Sequence, residues 1–125
     1  MRLLLDTHIV LWVMQGSAQL GPQARRLIDG ADQVYVSSVS IWEASIKAGL
    51  GKLKVDMDLL DRRLRETAML QLPMTWDHAA ALRGLPRLHG DPFDRMLVAQ
   101  AISEPMQLLT HDAMLARYTP LVTVV

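Results

Sequence analysis

The chain has 125 residues, of which 50% are hydrophobic and 21% charged, with 13 basic and 13 acidic side chains and no cysteine. This size and composition predict a single folded domain over residues 1–125 and exclude disorder, disulfide scaffolds and thiol chemistry. Zero net charge means that contact with nucleic acid requires a local basic patch.

The first third of the chain alternates strand and helix. Leu3–Leu5 predicts a buried parallel strand, and the apolar residues of Thr7–Met14 predict a helix closed by the turn at Gln15–Ser17. Pro22 favours the start of a second helix that ends at Gly30. The β-forming residues of Gln33–Ser37 predict the second strand.

The middle of the chain is richer in helices. Ser40 and Glu43 have the spacing of a capping box, which predicts a helix that continues to Gly49. The next expected elements are an amphipathic helix capped by Asp56 or Asp58, a short strand at Leu70–Leu72 and a helix over Asp77–Leu85.

The last third begins with the clearest helix of the sequence. It starts in the segment Asp91–Asp94 and carries apolar residues at helical spacing. A strand over Met106–Thr110, a helical turn capped by Asp112 and a strand over Leu121–Val125 follow. Strands that alternate with helices predict an α/β three-layer sandwich, with a central, mostly parallel sheet of four to five strands flanked by helices.

A membrane-spanning segment is not expected. The longest apolar run, Ile9–Met14, is far shorter than the ~20 residues that a spanning helix requires. Asp6 and His8 interrupt the apolar residues near the amino end and no small-residue cleavage site follows, which argues against a secretory signal. We therefore expect a cytoplasmic protein.

Four acids fall where strands end or helices begin, namely Asp6, Glu43, Asp94 and Asp112. In a parallel sheet these ends share one edge, so the four carboxylates are expected to converge. Their mutual repulsion requires a cation, and hard oxygen ligands without cysteine favour Mg²⁺ or Mn²⁺. Such an ion can activate a water and stabilise charge on a phosphoryl oxygen.

Each acid also has a structural interpretation as a helix cap, a dipole partner or, for Glu43, an i,i+4 partner of Lys47. Taken singly, that interpretation is favoured for all but Asp6, because a carboxylate directly after a buried strand is costly to desolvate without a partner. The four histidines lack zinc-binding spacing and are interpreted as surface or core residues. His111, beside Asp112, is the one candidate for a role near the acids.

Four segments together resemble the PIN-domain proteins of the VapC toxin type, over nearly the whole chain from Leu4 to the final strand. These segments are Leu4–His8, Ser40–Glu43, Asp91–Arg95 with Ala99 and Ala101, and Leu109–Asp112. The resemblance implies a PIN-like fold, a metal-dependent endoribonuclease activity on RNA, a small antitoxin as partner and a homodimer.

The resemblance also implies a role for each acid. By position and order, the four acids match the four acids of the family. We expect Asp6 and Asp94 to be the principal metal ligands, and Glu43 and Asp112 to complete the pocket directly or through water. One or two Mg²⁺ ions would then activate a water for in-line attack on an RNA phosphodiester. Asp91 stays open as a cap, an outer partner or an additional ligand.

Three alternatives remain at the level of sequence. A receiver-like signalling domain has this size and architecture, but the expected second acid beside Asp6 and the lysine after Leu108–Thr110 are missing. A phosphatase with Asp6 as nucleophile lacks its usual second acid, because His8 stands there. A catalytically silent PIN-like module that only binds proteins is the third alternative, and the acids argue against it.

Overall fold

The computed structural model describes residues 1–125 as five strands, six α-helices and one 3₁₀ helix. The strands are β1 (Arg2–Leu5), β2 (Gln33–Ser37), β3 (Leu70–Leu72), β4 (Gln107–Thr110) and β5 (Val122–Val124). The α-helices are α1 (Thr7–Gln15), α2 (Pro22–Gly30), α3 (Ser38–Gly49), α4 (Met57–Arg65), α5 (Trp76–Leu82) and α6 (Pro92–Ser103), and the 3₁₀ helix is Ala113–Arg117.

All five strands are parallel and lie in the order β3-β2-β1-β4-β5, with β1 at the centre. The expected sheet of four to five strands is therefore confirmed, and it is wholly parallel. Its strand order differs from the 2-1-3-4-5 order of flavodoxin-like and receiver folds, which removes the receiver-like alternative. Because every strand runs the same way, all carboxyl ends meet at one edge.

Alternate side chains of β1 enter two separate apolar cores. Leu4 packs with Leu97 of α6 on one face, whereas Leu3 and Leu5 pack with Ile9 of α1 on the other. This alternation is the ordinary consequence of the strand's two-residue period. Helices thus cover both faces of the sheet, as expected for three layers.

The start of α3 corrects one prediction. The helix begins at Ser38, and Ser37 caps it by accepting a hydrogen bond from a backbone N–H of the first turn. The predicted capping box of Ser40 and Glu43 is wrong, because Ser40 is already inside the helix. Glu43 consequently lies in the second helical turn rather than the first.

The ends of other helices and strands agree closely with the capping and turn residues in the sequence. The bounds of α2, β2 and β3 are those predicted from sequence. Helix α5 is shorter than expected and begins at Trp76, because Thr75 caps it and the side chain of His78 completes a capping box. No helix combines the length and apolar character needed to cross a membrane.

Candidate metal centre

Asp6 follows the central strand directly and is almost fully buried, with 3% of its surface exposed. Its Oδ1 accepts a 2.8 Å hydrogen bond from the backbone N–H of His8, which makes Asp6 the cap of α1. Its Oδ2 accepts a 2.5 Å hydrogen bond from the hydroxyl of Thr110. Burial raises the pKa of Asp6, and this effect outweighs the opposing hydrogen bonds from Thr110 and His8.

Glu43 projects from α3 and is 2% exposed. Its Oε2 lies 2.5 Å from the Nζ of Lys47, one helical turn later, as the i,i+4 spacing predicts. Its Oε1 is buried and has no hydrogen-bond partner. An unpaired buried carboxylate oxygen is costly, so this atom points to a ligand that the chain itself does not supply.

Asp91 and Asp94 lie at the start of α6. Asp91 caps the helix, because its Oδ1 accepts two hydrogen bonds from backbone N–H groups of the first turn. Burial raises the pKa of Asp94 to about 7, and the charges of Asp91, Asp6 and Glu43 act in the same direction. The carboxylates at the starts of α1 and α6 and within α3 are therefore close enough for their charges to affect one another.

Asp112 follows β4 and caps the 3₁₀ helix. Its Oδ2 lies 3.0 Å from the Nε2 of His89, and the same Nε2 lies 3.8 Å from Asp94 Oδ2. One potential ligand atom from each of His89, Asp94 and Asp112 lies within 4.8 Å of the others. The imidazole thus connects Asp112 to the remaining acids.

Sequence reasoning did not single out His89, and the histidine that it did single out, His111, makes no hydrogen bond or ion pair with the four acids. The backbone N–H of His89 donates to the hydroxyl of Tyr118, and its Nδ1 accepts from the backbone N–H of Asp91, so Nε2 carries the proton toward Asp112. His111 instead places Nδ1 2.7 Å from the carbonyl oxygen of Val125. The closeness of His89 to Asp91 in the chain was the one available signal.

The geometry brings all four acids that the sequence singled out to the carboxyl edge of the sheet. Together with His89, these acids offer carboxylate oxygens and one imidazole, and this set of donors fits a divalent cation. Lys47 is the lysine or arginine that contacts one of these acids, with its Nζ 2.5 Å from Glu43 Oε2. The unpartnered Glu43 Oε1 is the structural observation that favours a bound cation.

The chain is similar to known proteins over most of its length. The profile of the PIN domain matches residues 3–119. Ribonuclease VapC22 of Mycobacterium tuberculosis is 30% identical over 112 residues, which are 87% of this chain and 85% of the relative.

Solved structures give the same fold. VapBC2 from Rickettsia felis, bound to a DNA fragment from its promoter, has a TM-score of 0.71 at 16% identity, covering 100% of this chain and 98% of that one. DNA-bound VapBC from Salmonella typhimurium has a TM-score of 0.69 at 16% identity, covering 100% and 97%. Because the PIN profile spans most of the sequence and the VapC22 relative covers the same region, the chain belongs to the PIN-domain family and to its VapC type.

Proposed function

We propose that the protein is a Mg²⁺-dependent endoribonuclease that hydrolyses RNA phosphodiester bonds and acts as the toxin of a toxin–antitoxin pair. Membership of the PIN family and identity to a VapC ribonuclease support this assignment. The observation that carries it is the buried, unpartnered Oε1 of Glu43 among the carboxylates of Asp6 and Asp94. Such a group is unfavourable alone and well suited to a cation.

In this proposal Asp6 and Asp94 are the principal ligands. Asp6 is buried and Asp94 is partly buried, and the charge of Glu43 raises the pKa of both. Glu43 contributes Oε1 and Asp112 completes the set. Asp91 acts as the helix cap and adds negative charge, since its Oδ1 already accepts two backbone hydrogen bonds.

The remaining residues hold the ligands in place. Thr110 holds Asp6 through its hydroxyl, and His89 holds Asp112 through Nε2. Lys47 engages one oxygen of Glu43 and leaves the other free. When bound, a divalent cation neutralises the carboxylates and supplies Lewis-acid stabilisation to the phosphodiester and to the attacking water.

PIN nucleases generally depend on a divalent metal, and the acidic cluster of this chain is consistent with that requirement. We assign Mg²⁺, with Mn²⁺ as a substitute, because oxygen-rich sites select small, hard cations that also bind phosphate. A single imidazole beside the acids keeps Mn²⁺ within the range of suitable ions.

We also infer a protein partner. The solved relatives include VapBC complexes and a toxin–antitoxin complex from Klebsiella pneumoniae, which supports an antitoxin for this chain. Large aromatic side chains remain exposed, with Trp76 at 93% and Trp42 at 57%, and such surface is available to a partner. The homodimer and the single domain over residues 1–125 stay predictions, and light scattering together with limited proteolysis tests them.

An RNA cleavage assay tests the central claim. The wild type is expected to cleave single-stranded RNA with Mg²⁺ or Mn²⁺ and to stop when a chelator is added. Asp6→Asn and Asp94→Asn are each expected to lower the rate at least ~100-fold, because the loss of outer partners of metal ligands alone costs about 10–100-fold. Asn still caps α1 at position 6, so the Asp6→Asn variant stays folded.

Asp29→Asn is the matched control, because Asp29 is an exposed residue of α2, and it is expected to cleave like the wild type. Metal-dependent cleavage that persists in Asp6→Asn contradicts the assignment. A folded wild type that cleaves no RNA under any metal supports the catalytically silent module instead.

A further inference from the structure

An open groove of about 480 Å³ lies beside the acidic centre, lined by Arg87, Leu88, His89, Gly90 and Arg95. His89 belongs to both features, because its Nε2 is 3.0 Å from Asp112 Oδ2 and 3.8 Å from Asp94 Oδ2. The groove is therefore continuous with the carboxylates through one imidazole.

Arg95 is held in this groove without being neutralised. Its Nη1 donates to the carbonyl oxygen of Pro86 at 2.8 Å and to the hydroxyl of Tyr118 at 3.2 Å, which are both uncharged acceptors. Asp91 lies four residues earlier, yet its carboxylate accepts hydrogen bonds from backbone N–H groups instead. The guanidinium is thus fixed in position while its charge and its Nε and Nη2 donors stay available.

Arg87 supplies a second positive charge on the same groove. It is exposed, and it takes part in none of the side-chain hydrogen bonds or ion pairs of the protein. The zero net charge of the chain gives no general attraction to a polyanion, so two guanidinium groups without an acidic partner next to the acids are a specific local arrangement. This is the local basic patch that contact with nucleic acid requires.

We propose that the groove between Arg87 and Arg95 binds a backbone phosphate of the RNA strand, next to the phosphodiester that the acidic centre cleaves. The inference rests on the proposed nuclease function and names the residues that hold its substrate. A guanidinium presents paired N–H donors that match two phosphate oxygens. RNA is favoured over an acidic protein segment because the groove runs into the cleavage centre, and every nucleotide of a strand held there brings another phosphate.

Fluorescence anisotropy with a labelled single-stranded RNA tests the groove in the Asp6→Asn background, with Mg²⁺ present so that binding is measured without cleavage. Arg87→Ala is expected to weaken binding ~3–10-fold at about 0.1 M salt. It is also expected to reduce the slope of log K against log salt by about 0.7–1, which is the contribution of one phosphate contact. Arg95→Lys is expected to weaken binding too, because lysine keeps the charge and loses the paired donors.

Arg62→Ala is the matched control, because Arg62 is an exposed arginine of α4 and its removal changes the net charge equally. We expect its affinity and salt slope to equal those of the parent. Calorimetry of Arg87→Ala in the otherwise wild-type chain is expected to give unchanged Mg²⁺ affinity, which separates the groove from the metal ligands.

The outcomes distinguish the groove from the nuclease function. Parental affinity and slope in both Arg87→Ala and Arg95→Lys, with the wild type still cleaving RNA, overturn the groove and leave the nuclease intact. A wild type that neither binds nor cleaves RNA overturns both. Loss of antitoxin binding with unchanged RNA binding assigns the groove to the protein partner and overturns the proposal. If Arg95→Lys lowers the Tm, the result for Arg87→Ala decides whether the groove binds RNA, because the Arg87 side chain makes no hydrogen bond or ion pair that its removal could break.

Discussion

The hydroxyl of Thr110 donates a 2.5 Å hydrogen bond to Asp6 Oδ2, linking the ends of two neighbouring parallel strands across 104 residues of sequence. The oxygen of the same hydroxyl accepts a 3.0 Å hydrogen bond from the backbone N–H of Asp112. One threonine therefore positions two of the four predicted ligands.

Replacing Thr110 with valine removes these hydrogen bonds at nearly constant volume. We expect the affinity for Mg²⁺ or Mn²⁺, measured by titration calorimetry, to fall about 10–100-fold, as for other residues that orient metal ligands. Thr123→Val on β5 is the control, because Thr123 makes no side-chain hydrogen bond, and its metal affinity should be unchanged. Equal affinities in the two variants contradict a positioning role for Thr110.

Lys47 compensates the buried charge of Glu43 in the metal-free protein. In Lys47→Met, neither oxygen of Glu43 has a partner, so we expect the free energy of unfolding to fall by about 1–3 kcal/mol. Because a cation replaces the lost charge, saturating Mg²⁺ should raise the Tm of this variant more than that of the wild type. Lys52→Met, at an exposed position, serves as control; a similar loss there, or no recovery with Mg²⁺ in Lys47→Met, argues against this account.

Asp94 makes the stability of the metal-free protein depend on pH. Folding raises its pKa from 3.8 to about 7, so the folded chain holds this proton more tightly than the unfolded chain does. The resulting penalty is absent below about pH 4, grows as the pH rises between the two values and is complete above about pH 7. Asp94→Asn removes the ionisable group and with it the penalty.

Thermal melts in chelator are therefore expected to show Asp94→Asn more stable than the wild type by several degrees at about pH 8, and nearly equal to it at about pH 4. The exposed Asp29→Asn should follow the wild type at both values. A gain for Asp94→Asn that is the same at both pH values rules out ionisation of Asp94 as the cause.

His78 is predicted to serve stability alone. It is 1% exposed, its Nδ1 accepts a hydrogen bond from the backbone N–H of Thr75, and its Nε2 lies 2.5 Å from Glu104 Oε2. His78→Ala leaves a cavity and unpaired polar groups, so we expect a loss of about 2–4 kcal/mol in the free energy of unfolding, measured with urea. The affinity of the folded variant for Mg²⁺ should stay at the wild-type value, and a selective loss of affinity would refute the assignment.

Local sequence signals were sufficient for most elements. Pro22 and Gly30 bound α2 because proline suits a first helical turn and glycine ends one, and the β-branched and aromatic residues of Gln33–Ser37 define β2. The start of α3 was mispredicted because Ser37, Ser38 and Ser40 all resemble caps. Ser37 pairs with Leu72 in the sheet, so Ser37 is the last residue of β2 and the cap of α3. Which serine caps the helix therefore depends on a residue far along the chain.

The residues of the candidate centre likewise include some that a local sequence pattern indicates and one that it does not. Asp6, Asp94 and Asp112 were singled out as candidates because each follows a strand or opens a helix, which local patterns reveal. His89 was not found, because its position depends on hydrogen bonds to Tyr118, 29 residues later, and to Asp112. The order of the strands likewise depends on contacts between distant segments and has no local signal.

Existing hydrogen bonds also affect how three of the carboxylates can coordinate a cation. Oδ1 of Asp6 and Oδ1 of Asp112 are each tied to a backbone N–H, and Oε2 of Glu43 is tied to Lys47. One lone pair on each of these oxygens is therefore already used, which disfavours bidentate coordination by these side chains. Ca²⁺ prefers six to eight oxygens with bidentate carboxylates, whereas Mg²⁺ takes an octahedron of single oxygens and waters. The hydrogen bonds that cap two helices, together with Lys47, would thus favour Mg²⁺ over Ca²⁺ at this centre.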